Sequence, residues 1–382
     1  MTNLLGLILA FAISAGQLIR IPFANGGITI LDIIIAFFCL WGLLKTKFQL
    51  HKPPARITAA LIFISLAIAS LILTPLHLKL NEYITGFLYI IRFALYILIA
   101  WLIFSDAFGD FRKSLQKTLL LAGISFAVLG LLQFIIFPNL EFLSFLGWDP
   151  HYFRTVSTFL DPNFAGAFLV LTLILIFQNL AMAKKWNTLF FIITYAALLT
   201  TFSRSSYFMF LVSGLTFSLS KKSKKYTVTT LLLFTFLLLG FQIYNRLVAI
   251  PQNINREQSA SLRLNTWQQG FQIFQKNPIL GIGFNAYRYA IREYSLGDEQ
   301  FLKSHGASSN DSSLLFVAST TGILGLISYL YFLWTLIKSS TGRNLILISG
   351  LTGLLIHSFF ANSLFYPPIL VWVLLISVAP KK

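Results

Sequence analysis

The chain has 382 residues, 57% hydrophobic and 11% charged, with a formal net charge of +17. Those proportions exclude an ordinary soluble domain, and apolar stretches long enough to cross a bilayer recur from end to end. The positive charge invites a nucleic-acid reading, which its placement along the chain excludes below.

Hydropathy predicts an all-α polytopic membrane protein, a single membrane domain over 1–382 with twelve spans. They fall at about 4–19, 28–44, 57–74, 84–104, 117–137, 164–182, 186–202, 205–220, 226–243, 312–337, 344–361 and 363–379. The first lacks a basic n-region and a small-residue cleavage site, so it reads as retained rather than as a signal peptide. Cys39, the single cysteine, lies in an apolar run, so no intrachain disulfide forms.

The connections alternate in charge. One set carries 17 basic residues, from Lys45 and Lys47 through the cluster Lys221, Lys222, Lys224 and Lys225 to Lys381 and Lys382. The opposite short connections carry four: Arg20, Lys79, Arg154 and Arg204. By the positive-inside rule both termini are expected in the cytoplasm, and the long polar loop 244–311 outside the cytoplasmic membrane. The basicity then records topology, and no nucleic-acid partner is expected.

The two sides also differ in kind. The inner set holds 14 Lys to 3 Arg, whereas the outer connections hold eight Arg to three Lys. A guanidinium is a planar fork that grips phosphate oxygens two at a time and stays charged when partly desolvated. The outer face is therefore expected to meet an anion, a phosphate or diphosphate, with interfacial snorkelling as the alternative for any one arginine.

Three outer stretches carry the pattern. In RTVSTFLDPNFAGAFL (154–169), Asp161-Pro162-Asn163 reads as a turn opening a helix, a capping role that competes with a binding role for Asn163. In TTFSRSSY (200–207), the connection is so short that Arg204 sits at the membrane boundary, where a charge must be satisfied by solvent or a ligand. In the long loop, Trp267, Phe271 and Phe274 form the apolar stripe of an amphipathic helix, with Arg263 one turn earlier. Pro278 should stop that helix and Gly281-Ile282-Gly283 should bend. Polar residues from His305 to Asp311 then lead into span ten, whose Gly322 and Gly325 suit close helix packing.

RTVSTFLDPNFAGAFL, TFSRSSY, Arg263-x-x-x-Trp267 followed by NPILGIGFNAY, and SSNDSSLLFVASTTGILGL resemble, in order and spacing, the successive motifs of the O-antigen ligase and polymerase superfamily. The resemblance covers about 150–330. It implies a GT-C-type membrane glycosyltransferase; no cofactor is expected, and with no Asp-x-Asp or His/Cys cluster of metal spacing in the outer loops no metal either. Such an enzyme moves a polyprenyl-diphosphate-linked glycan to a glycan, lipid or protein acceptor on the outer face. Arg204 and Arg263 match the family's catalytic arginines, and Arg154, Asn163, Arg288, Asn310 and Asp311 are the expected substrate-binding residues. Ser309 stands where members commonly carry a histidine before the asparagine, so the base falls to His305 or the chemistry leans on Asp311.

Two other classes stay open. A lipid-linked-glycan flippase would spread polar residues through its spans, whereas here Asp32, Arg92 and a few others are the ones inside. A structural membrane subunit would not need arginine in place of lysine outside.

Overall fold

The computed structural model describes residues 2–23, 26–180, 185–303, 305–338 and 344–380. The chain order is α1 (Thr2–Ala15), a hairpin of β1 (Arg20–Phe23) and β2 (Gly26–Thr29), then α2 (Ile30–Lys45), α3 (Ala55–Ile72), α4 (Leu80–Phe104) and α5 (Phe111–Ile136). Next come α6 (Pro162–Leu180), α7 (Lys185–Thr201), α8 (Arg204–Lys221), α9 (Lys224–Leu247) and α10 (Ala249–Lys276). Two short helices, α11 (Tyr287–Glu293) and α12 (Glu299–Lys303), precede α13 (Ser313–Lys338), α14 (Leu345–His357) and α15 (Pro367–Val378). A helix coincides with each of the twelve apolar segments. Among the described residues, five helical segments are long and apolar enough to cross a membrane: 55–72, 80–104, 111–136, 224–247 and 306–338. Four shorter apolar helices accompany them. The chain is a mostly helical membrane protein.

It divides into two compact units, each assembled from separated stretches of sequence. The first takes residues 1–19, 113–261 and 342–382. Its centre is α6, with Phe168, Leu171 and Ile174 fully buried, together with α15, buried along its whole length. Both helices are apolar on every face, which suits a central position. α8 packs on α14, α6 and α9, and α6 packs on α7. The outer side of α9 exposes Leu232, Phe236 and Leu239, as a lipid-facing helix does.

The second unit takes residues 20–112 and 262–341. α3 packs along α13, with the Phe63 ring 5.0 Å from Tyr329 and 5.5 Å from Phe93. The intramembrane charges noted in the sequence pair with each other. Arg92 donates to Asp32 Oδ2 at 2.8 Å and to the Gly27 carbonyl at 2.5 Å, and Tyr96 donates to the other Asp32 oxygen. The Thr29 amide and hydroxyl also donate to Asp32 Oδ2, at 2.8 and 2.9 Å. A buried carboxylate is tolerable only when its lone pairs are filled in this way. The same bonds fasten the hairpin to α2 and α4.

Gly322 breaks α13 instead of merely easing helix packing. Its φ of 65° and ψ of −168° interrupt the helix and free backbone groups on either side. The bend after Pro278 takes them up: Ile282 and Gly283 N–H donate to Ser319 and Thr320 carbonyls, and Ile323 N–H donates to the Pro278 carbonyl. Ser70 Oγ donates to the Thr320 carbonyl at 2.7 Å. Irregular backbone at membrane depth needs such internal satisfaction. A Cβ on Gly322 would lie 2.2 Å from the Ile279 carbonyl oxygen, and one on Gly281 2.4 Å from the Thr320 carbonyl carbon. Gly322→Val is expected to cost about 3 kcal/mol or more. Gly109→Ala has a similar positive φ but open space around it, and should cost about 1 kcal/mol. Thermal unfolding in detergent checks the difference; equal costs would mean that φ strain, not the backbone contact, is what matters.

Candidate functional site

In the first unit, the motifs around Asn163 and Arg204 meet at the N-terminal ends of α6 and α8. Asp161 Oδ1 accepts from the Asn163 and Phe164 amides at 2.6 and 3.2 Å, and Pro162 follows as the first helical residue, so Asp161 caps α6. Ser203 caps α8, its Oγ accepting from the Ser206 amide at 3.4 Å. Ser203 Oγ in turn donates to Asn163 Oδ1 at 2.8 Å, and Ser205 Oγ reaches the same oxygen at 3.3 Å. His357, fully buried at the end of α14, holds its Nε2 3.3 Å from Ser205 Oγ and 3.4 Å from Ser206 Oγ. One asparagine, three serines and a histidine thus fix the start of α8.

Arg204 is the first residue of that helix. Its side chain is exposed and lies over the Phe241 ring at 6.0 Å. Arg154, by contrast, uses its guanidinium on the protein: Nε donates to the Thr201 carbonyl at 2.9 Å and Nη2 to the Phe202 carbonyl at 3.3 Å. It closes the C-terminal end of α7. Gln133 holds the preceding strand of chain, accepting from the Val156 and Ser157 amides at 3.0 and 3.2 Å. Nearby, burial and the Arg154 charge push the His151 imidazole down to about 3, so it is neutral at physiological pH.

In the second unit, the centre is Thr266 on α10. Its Oγ1 lies 3.0 Å from Asp311 Oδ2 and 2.9 Å from the Arg263 carbonyl. Asn310 is fully buried, and both ends of its amide are engaged. Its Nδ2 donates to the Thr266 carbonyl and, at 2.9 Å, to Tyr287 Oη, while Oδ1 accepts from the Ser312 amide at 2.8 Å. Burial raises the Tyr287 hydroxyl above its ordinary range, keeping it a neutral hydrogen-bonding group. Ser312, not Asp311, caps α13, its Oγ accepting from the Leu315 amide at 3.4 Å. Asp311 faces Thr266 instead. Arg263, on α10, is half-buried.

The inward face of α10 is one residue off the expected stripe. Thr266, Gly270 and Ile273 are buried, whereas Phe271 is half exposed. Asn310 and Leu315 pack against Gly270, where a Cβ would lie 2.6 Å from Asn310 Nδ2. Arg288 is half-buried beside Tyr289 and Tyr89, and burial lowers its guanidinium below the usual range. Arg292 pairs bidentately with buried Glu82, Nη1 to Oε1 at 2.6 Å and Nη2 to Oε2 at 3.2 Å, which raises the guanidinium further. His305 opens a short 3-10 turn, and its side chain lies outside the described residues.

The sequence motifs therefore gather into two polar clusters: Arg154, Asn163 and Arg204 in one unit, and Arg263, Asn310 and Asp311 in the other. The residues that hold them, Gln133, Ser203, Ser205, Ser206, Thr266 and Tyr287, do not stand out in the sequence. Four of these lie inside the quoted motifs, yet hydroxyls beside an arginine carry no signal of their own.

These features define a helical membrane protein with polar networks at the starts of α6, α8 and α13. Residues 188–330, from α7 into α13, match the family model described as O-antigen ligase, which supports the O-antigen ligase superfamily for this stretch. No curated protein matches the chain.

Proposed function

We propose that this protein is an O-antigen-ligase-like glycosyltransferase. It moves a glycan from a polyprenyl-diphosphate carrier to an acceptor hydroxyl at the outer face of the cytoplasmic membrane. The observation that carries the reading is the family match over 188–330, which takes in Arg204, Arg263, Asn310 and Asp311. The reading assigns the bond from anomeric carbon to diphosphate as the one that breaks. The acceptor oxygen forms the new bond with inversion, its proton passes to a base, and the diphosphate leaves with added negative charge. Arg204 and Arg263 donate to that departing charge, the kind of stabilisation expected to dominate such a step. His305 is the proposed base. Arginine supplies the charge that a metal supplies in other transferases, and no cofactor takes part.

The test is analysis of surface glycans and glycolipids in a deletion strain. Long chains left unattached on the carrier make the protein a ligase, loss of chain extension makes it a polymerase, and loss of glycan from protein makes it an oligosaccharyltransferase of the same superfamily. Unchanged glycans and glycolipids would overturn the reading; a flippase would instead strand the carrier-linked unit on the cytoplasmic side.

Orientation follows from the 17-to-4 charge asymmetry of the short connections. In a Cys39→Ser background, Gly297→Cys should react with a membrane-impermeant thiol reagent in intact cells, and Ser223→Cys should not. The reverse labelling pattern would place the loop in the cytoplasm and remove the basis for an outer-face reaction.

A further inference from the structure

In the second unit, α10 and the turn leading into α12 border an open pocket of about 170 Å³, lined by Asn265, Thr266, Gln269, Gly297, Asp298 and Phe301. We infer that this pocket is a subsite for a single uncharged sugar ring, deepening the transferase reading on which it rests.

Size comes first. Sites for drug-sized ligands run to about 300–1,000 Å³. This one is smaller and takes one ring, not an oligosaccharide or a lipid tail. The wall chemistry then selects the ring. Asn265, Thr266 and Gln269 stand together on one surface of α10, spaced i, i+1 and i+4. The Gln269 amide is fixed in place, its Nε2 donating to the Leu296 carbonyl at 2.7 Å and its Oε1 sealed from solvent. Asp298 Oδ1 accepts from the Phe301 amide at 2.7 Å, which leaves the rest of an exposed carboxylate to accept. That open carboxylate calls for hydroxyl or N–H donors.

Among the described residues of the wall Asp298 is the only charged one, and its carboxylate repels a phosphate or a uronate. Phe301 supplies a flat apolar surface of the kind that packs against the C–H face of a pyranose. Gly297 permits that placement, because a Cβ there would lie 2.8 Å from Phe301 Cδ1. The pocket shares Thr266 with Asp311 and with the Arg263 carbonyl, so a ring held there lies next to the candidate machinery without being gripped by it.

The experiment is saturation-transfer NMR on the full-length protein in detergent. Methyl glycosides of neutral hexoses are the probe, and the corresponding methyl uronates the charged control. Saturation should reach the neutral rings and not the uronates. It should be lost in Asn265→Leu and Phe301→Ala and kept in Arg263→Lys. Phe301→Tyr keeps the ring and should keep the signal, which separates loss of the site from loss of the fold. No saturation of any neutral hexoside, equal saturation of the uronates, or a signal unchanged in Asn265→Leu and Phe301→Ala would overturn the proposal.

Kinetics then tells donor from acceptor. Asn265→Leu should raise KM by about tenfold for whichever of the two presents the ring, with kcat little changed. Unchanged KM for both would overturn the assignment to the transfer reaction. A protein that binds the hexosides as described but transfers no glycan would keep the subsite and sink the transferase reading instead.

Discussion

Arg204→Lys and Arg263→Lys are each expected to lower glycan transfer by about 10²-fold or more, with insertion and expression unchanged. Both substitutions keep the charge and remove the planar fork that can hold two phosphate oxygens at once. Loss of one preorganised donor to a developing oxyanion typically costs about 10²–10³ in turnover. The structure supplies the contrast. Arg204 projects from the first position of a capped helix, exposed over the Phe241 ring, whereas the forks of Arg154 and Arg292 are engaged on carbonyls and on Glu82. Arg292→Lys should therefore lower the thermal midpoint in detergent more than it lowers turnover. In vitro transfer by purified variants decides the matter. Near-wild-type turnover in both Lys variants of the proposed pair would reduce Arg204 and Arg263 to interfacial anchors.

His305→Ala is expected to cost roughly 10²-fold in turnover, within the usual range for loss of a general base. Donor binding should persist, because the arginines are intact. Histidine suits the role, since its ordinary pKa lies near the operating pH. The rate should rise as the imidazole deprotonates, and that limb of the profile should vanish in the variant. Two other histidines are poor rivals for the role. His151 is held neutral far below neutral pH, and His357 is sealed against Ser205 and Ser206. Asp311→Asn should be milder, because an amide oxygen still accepts from Thr266 Oγ1. Transfer measured from pH 5.5 to 9 separates the cases. Retained turnover and profile in His305→Ala, with activity abolished in Asp311→Asn, would move the base to the carboxylate.

The motifs were legible because they are local. A cap such as Asp161-Pro162-Asn163 completes its hydrogen bonds within three residues, and Pro278 ends α10 by removing one donor. Two features misled for the same reason in reverse. Trp267, Phe271 and Phe274 make an aromatic stripe on α10, yet the inward face is set by Thr266, Gly270 and Ile273, because Asn310 and Leu315 need the space that Gly270 leaves. Gly322 reads as a packing residue, but its neighbours' carbonyls are taken up by a loop some 40 residues away in the chain.

The sequence by itself determined the class of the molecule, its helical segments and the order of its motifs. Hydropathy over about 20 residues and short capping patterns are one-dimensional properties. It also set the connections rich in arginine apart from those rich in lysine. Only the tertiary structure decided which arginines are engaged by the protein. A guanidinium on Thr201 and Phe202 carbonyls, or on Glu82, has the same letter in the sequence as one left at an exposed helix end. Partners separated by 47 or 210 residues come together through packing, and no local pattern encodes that distance.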